Sequence, residues 1–267
     1  MISTTIIGRL ASVLTLGIAL QMPAMAAEDT ALSIMQKSAA AIKLKDSVFK
    51  ATFTLINRDG STRIRQTSAY TRLQGDSADN MRLVRFLAPA DIKGTATLLI
   101  EHTASDDDMW IYLPALGKVR RLSASNKKDS FVGTDFSYGD VIGYKPEEWS
   151  HRQLREENEG SQPCYVIESL PATDAVKQNS GQSKRVTWVR KDNFVAVKSE
   201  AWDTSGQLAK RITLSDVRPV GSNGRWQAMV SEAQNLLTEH KTTIKYEEFQ
   251  VDQNVPEKMF NPRELDR

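Results

Sequence analysis

The chain has 267 residues, with 35 Lys and Arg against 33 Asp and Glu, a formal charge of +2, and 40% hydrophobic residues. That balance belongs to a folded globular chain rather than to disorder or coiled coil, and it lacks the basic excess that holding a nucleic-acid backbone demands. A single cysteine, Cys164, excludes an internal disulfide framework and any multi-cysteine zinc or iron–sulfur site.

Residues 1–26 read as a secretory signal peptide. Arg9 is the only charged side chain before Glu28, residues 10–20 form an apolar core, and Ala24-Met25-Ala26 supplies small residues for cleavage. The apolar run is shorter than the ~20 residues that span a bilayer, and Pro23 follows it. Residues 27–267 are then expected to form one exported domain in the periplasm. Cys164 lies in the apolar run Cys-Tyr-Val-Ile, which points to burial rather than reactivity.

A helix is predicted from Asp29 or Thr30, either of which can cap it, to about Lys45-Asp46; Leu32, Ile34, Met35, Ala39 and Ile42 recur at helical spacing. The period then changes to two. Residues 48–57 alternate, with Phe49, Ala51, Phe53 and Leu55 on one face, and Asn57-Arg58-Asp59-Gly60 makes a hairpin turn into a return strand over 61–72. Further strands are predicted over 81–88, stopped by Pro89, and over 96–102, 109–113 and 118–122.

Residues 123–144 break this rhythm. A polar start gives way to Phe131, Phe136, Tyr138, Val141 and Ile142 with three glycines, which fits a loop with one or two short helices. Such an aromatic segment is either a lid or plug, or a loop that simply packs on the sheet. Strands resume over 149–156, 164–170, 184–190, 194–202, 207–216, 225–235 and 242–249, and the chain ends in a short helical cap.

About a dozen strands at ten-residue spacing, joined by short turns, predict one meandering antiparallel sheet rather than βαβ units. A sheet this long curls. Its outer face is expected to carry Lys50, Arg63, Arg65, Arg152, Arg155, Lys184 and Arg190; its inner face is expected to carry Phe49, Phe53, either Trp110 or Tyr112, and Trp188. An aromatic concave face either fills itself or holds an apolar ligand. Arg120 and Arg121 alternate on one strand, so one of them faces inward unless that strand is an edge; Asp135 and Asp140 are the acceptors nearest in sequence, and such a pair could latch the aromatic segment over the concavity.

Catalytic patterns are absent. His102 with Asp106-Asp107-Asp108 reads as a solvated turn rather than a metal site, His151 and His240 lack helix-spaced partners, and there is no nucleophile elbow or glycine-rich phosphate loop. No metal, cofactor or catalytic activity is expected.

Several ordered stretches resemble one family. They are Phe86-x-x-Pro89-x-Asp91-Ile92-x-Gly94-Thr95, the pair Trp110-x-Tyr112-x-Pro114 and Arg120-Arg121-Leu122, the run Gly133-Thr134-Asp135-Phe136-Ser137-Tyr138-x-Asp140, and the ending Val255-Pro256-x-x-x-Phe260-x-Pro262-x-x-Leu265. In these the chain resembles the outer-membrane lipoprotein-sorting proteins, the LolA-like carriers. The resemblance implies a mainly β fold with a few helices: an unclosed antiparallel β-barrel with a helical lid over an apolar cavity. It implies a non-enzymatic carrier of lipid or lipoprotein acyl chains between envelope membranes, working beside an RND-type transporter. Phe49, Phe53, Trp110, Tyr112, Phe131, Phe136, Tyr138 and Trp188 would then contact the chains, and Arg120 or Arg121 with Asp135 or Asp140 would hold the lid. The alternative is a non-enzymatic protein-binding accessory or sensor subunit of an envelope complex on the same fold.

Overall fold

The computed structural model describes Met1 and residues 29–75, 77–221 and 224–267; apart from Met1, the predicted signal segment lies outside the described residues. Thirteen strands form one antiparallel sheet. They are β1 (Asp46–Ile56), β2 (Thr62–Leu73), β3 (Asn80–Ala88), β4 (Ala96–Ile100), β5 (Asp108–Leu113), β6 (Lys118–Leu122), β7 (Trp149–Glu159), β8 (Gln162–Pro171), β9 (Gln182–Arg190), β10 (Ala196–Asp203), β11 (Leu208–Val220), β12 (Arg225–Asn235) and β13 (Lys241–Val251). The α-helices among the described residues are α1 (Ala31–Ala41), α2 (Tyr138–Ile142) and α3 (Asp174–Ser180).

The strand order is β6-β5-β4-β3-β2-β1-β13-β12-β11-β10-β9-β8-β7. Every neighbouring pair is a hairpin in sequence except one, the pairing of β1 with β13, which joins the two halves of the sheet. The two edges, β6 and β7, are therefore consecutive in sequence and at opposite ends of the sheet. The chain between them, residues 123–148, must travel from one edge to the other. It does so across the inner face, where Phe131, Phe136, Tyr138 and Ile142 pack.

The inner face reads directly from register. Phe53 opposes Arg65 on β2 and Ile244 on β13, and Ala51 opposes Thr67 and Tyr246, so one face of β1 meets one face of each neighbour. Ala51, Phe53, Leu55, Val84, Phe86, Leu99 and Met109 form the main core, closed from above by Phe131, Phe136, Tyr138 and Ile142 of the crossing segment. The outer face of the β2–β6 half has its own cluster. Met81, Leu83, Ala96 and Leu98 lie beneath Val255, Phe260 and Leu265 of the C-terminal tail. Arg72 donates to the Val255 carbonyl and Arg85 to those of Leu265 and Glu264, which fixes the tail.

Helix α1 starts where predicted: the Thr30 hydroxyl accepts from Ser33 N–H. It ends at Ala41, earlier than the predicted Lys45-Asp46, because Ile42 caps it and the chain turns into β1. Ile34 is fully buried against Ile167 of β8 and Val189 of β9, which seats α1 over the other half of the inner face. Helix α3, in the β8–β9 connection, was not visible in the sequence. It carries no apolar stripe; Thr173 caps it and Gly181, in the left-handed region, ends it against Lys128.

Cys164 is buried on the outer face beneath Trp188 and Trp202, and burial pushes its thiol pKa up. The native protein is therefore expected to give no fast reaction with a thiol reagent at pH 8, and one titratable thiol after unfolding in guanidinium. Rapid labelling of the folded protein would contradict this placement.

Candidate functional site

Between the inner face, α1 and the crossing segment lies a cavity of about 350 Å³. Its walls come from β1–β3 and β7–β13, with Met35 and Ala39 of α1, its cap residue Ile42, and Phe131, Phe136 and Ile142 of the crossing segment closing it. The deep wall is apolar: Phe49, Ala51, Phe53, Ala69, Val84, Ile212, Leu214, Ala228 and Ile244. Phe49 stacks on Phe249 and meets Tyr246 edge-on at 5.2 Å, which fixes the rings. Small side chains at Ala51, Ala69 and Ala228 leave the space that bulkier residues would fill, so the hollow is built into the sequence of the strands.

The opposite rim is polar. Lys43, Asn80, Arg82, Glu101, Asp140, Tyr144, His151 and Arg185 line it. Burial lowers the His151 pKa below its ordinary value, and its ring is held by the Ser169 hydroxyl at 2.8 Å and the Pro146 carbonyl at 2.8 Å. The Thr187 hydroxyl, on the cavity wall, is buried without a partner.

The crossing segment is fastened at three carboxylates. Asp140, 2% exposed, sits between Lys210 at 2.7 Å and Arg185 at 3.3 Å. Its carboxylate also accepts from Ser137 N–H, while the Ser137 hydroxyl accepts from Asp140 N–H, so the same residue closes the cap of α2. Burial opposes its ionisation, but the charges of Lys210 and Arg185 and the hydrogen bonds outweigh burial and hold its pKa below the usual carboxylate range. Burial pulls the Arg185 guanidinium pKa down to about 10, against the raising effect of Asp140; its Cζ also lies over the Tyr144 ring, 3.3 Å from the centroid.

Asp107, in the β4–β5 turn, is equally buried and binds both ends of the crossing segment: Lys127 at 2.6 Å and Lys145 at 3.0 Å. Burial again opposes the charge, and hydrogen bonds from Lys127, His102 N–H and Lys145 overcome it, lowering the pKa. Asp135 is the third, bound to His240 at 2.6 Å and to the Thr242 hydroxyl at 2.7 Å at the start of β13. The tip is strained. Val132, a β-branched residue, has φ 49° and ψ 40°, a conformation that costs on the order of 1–3 kcal/mol, and its carbonyl accepts from Arg65. Gly143, with φ 110°, ends α2 where a Cβ would stand 3.3 Å from a Glu101 carboxylate oxygen.

A curled thirteen-stranded sheet with this covered hollow has known counterparts. The family model that matches residues 78–267 is described only as that of an uncharacterized protein. Among solved structures, a domain from Vibrio parahaemolyticus named for outer membrane lipoprotein sorting is 29% identical, with a TM-score of 0.81 over 89% of this chain and 98% of that one. A DUF1329 family protein from Desulfovibrio piger is 27% identical, with a TM-score of 0.80 over 88% and 97%. A LolA superfamily protein from Nitrosomonas europaea shares the fold, with a TM-score of 0.65 over 87% and 97% at 21% identity. The chain belongs to the family that this model describes, and its fold is LolA-like. No curated protein sequence matches it.

Of the residues expected to line the LolA-like cavity, Phe49, Phe53, Phe131 and Phe136 do so. Tyr138 faces the core instead, edge-on to Phe131 at 5.4 Å, and burial pushes its pKa up to about 12. Trp110 and Tyr112 belong to the outer cluster under the C-terminal tail. Trp188 also faces outward, because Arg185, Thr187 and Val189 take the inner positions of β9; its indole N–H donates to Glu157 at 2.5 Å and Lys198 lies over its ring.

The expected arginine latch is corrected too. β6 is an edge strand, so neither arginine is forced inward: both are exposed, and Arg121 pairs with Asp108. Asp135 and Asp140 do not meet these arginines; they tie the crossing segment to His240, Arg185 and Lys210 from the far half of the sheet. Arg65, expected outside, faces inward opposite Phe53. Asp107, expected in a solvated turn, is a buried anchor. Its partners, Lys127 and Lys145, lie 20 and 38 residues further along the chain.

Proposed function

We propose that this protein is a non-catalytic carrier that takes up an acyl chain of a lipid or lipoprotein in the covered cavity and moves it between membranes of the envelope. The observation that supports this most is the hollow itself: an apolar deep wall, opened by alanines rather than filled, beneath a fastened aromatic cover. Burying each methylene contributes about 0.8 kcal/mol, so a 16-carbon chain gains roughly 12 kcal/mol at most. It gains a similar amount in a bilayer, so small shifts in the cover set the direction of transfer. A volume near 350 Å³ is at the low end of ligand pockets, about 300–1,000 Å³. Full loading therefore requires Phe131 and Phe136 to withdraw. On this reading the protein acts in the periplasm after removal of residues 1–26, and it loads from an inner-membrane transporter of the RND type, as the resemblance implies.

Phe136→Asp places a carboxylate in the cavity wall. It is expected to abolish binding of a fluorescent fatty acid, while Phe136→Leu keeps it, with thermal unfolding showing both variants folded. Undiminished binding in a folded Phe136→Asp protein would overturn the assignment of this segment as the cover.

A further inference from the structure

The polar rim carries more positive charge than its carboxylates use. Lys43 is bound to Glu101, and Asp140 is bound to Arg185 and Lys210. Arg82 differs from the other cations there. It lies on the inner face of β3, opposite Thr71 of β2 and Leu99 of β4. Its Nη1 donates to the Val141 carbonyl at 2.7 Å, and among the described residues no carboxylate lies within 4.0 Å of it. A half-buried guanidinium beside an apolar hollow, with one of five N–H groups used on a neutral carbonyl, is a receptor for an anion.

Resting on the carrier reading above, we infer that the cargo is an amphiphile with one anionic head, a carboxylate or a phosphate monoester, seated on Arg82 with its chain against Phe49, Phe53 and Val84. A neutral head leaves the guanidinium without a counter-charge. A head bearing an ammonium group needs a carboxylate, and both carboxylates of the rim are already engaged by cations. Carboxylate and phosphate oxygens match the guanidinium fork in pairs, and the low dielectric of the hollow strengthens that contact. Because Arg82 holds the C-terminal turn of α2 through Val141, a head that binds Arg82 also competes with a contact of the cover.

The test uses full-length mature protein and three probes with the same 16-carbon chain: palmitate, hexadecyl phosphate and hexadecanol, each titrated below its micellar concentration. The two anions are expected to bind more tightly than the alcohol. Arg82→Gln should weaken both by about tenfold or more and hexadecanol by much less, and Arg82→Lys should restore part of the loss, with thermal unfolding showing that both variants are folded. Palmitate tighter than hexadecyl phosphate marks a free fatty acid as the source; the reverse order marks a phospholipid-derived head; either supports the inference. Equal binding of all three probes, insensitive to Arg82, overturns the anionic head and leaves the carrier intact. No binding of any probe overturns the carrier reading, and this inference with it.

Discussion

Asp140→Asn is expected to destabilise the protein by about 3–5 kcal/mol, because removing one partner of a buried ionic cluster leaves Arg185 and Lys210 with uncompensated charge. For a domain of this size that lowers the unfolding temperature by roughly 10 °C. The loss should be focused on residues 123–148, read as increased amide exchange there, since the same carboxylate caps α2 and ties it to β9 and β11. The acid limb of the stability curve provides a second reading. Asp140 and Asp107 both have folded pKa values below their unfolded ones. Their contribution is therefore complete above the unfolded value near pH 4 and is lost as pH falls through the folded value. The wild type should lose stability steeply below about pH 4, and Asp140→Asn should do so less steeply. Equal slopes would mean that Asp140 carries no net interaction.

Ala228→Trp is expected to weaken binding about fifty-fold while leaving the fold in place. Ala228 stands on the cavity wall, so an indole there enters empty space rather than packed core. Overpacking a full core costs about 1–3 kcal/mol; here the cost should be at the low end. Denying a bound chain three methylenes removes about 2.4 kcal/mol, roughly fifty-fold in affinity. A fatty acid titration of folded Ala228→Trp measures this. Wild-type affinity in that variant would place the ligand elsewhere.

Most of the fold was legible because strand rhythm and turn chemistry are local. Asn57-Arg58-Asp59-Gly60 and Asp203-Thr204-Ser205-Gly206 announce their hairpins, and Phe49, Ala51, Phe53 and Leu55 announce the inner face of β1. Face assignment failed where both faces are covered. Around β5, a tail some 140 residues later buries Trp110 and Tyr112 on the outside, so an aromatic there no longer marks the cavity. On β9 the binary pattern is inverted: Arg185 goes in, because Asp140 waits there, and Trp188 goes out, under Lys198. The fastening of the cover was half legible. Asp135 and Asp140 stand out beside the aromatics, but their partners come from β9, β11 and the β12–β13 turn, and only the closing of the sheet's far half brings them near.

The most direct test of the central claim is native mass spectrometry, with lipid extraction, of mature protein purified from its own cell envelope without detergent. A carrier gives a stoichiometric adduct whose mass is that of an acyl-bearing molecule, strongly reduced in Ala228→Trp prepared in the same way. An unliganded mass for the wild type, with no uptake from added vesicles, would contradict the claim.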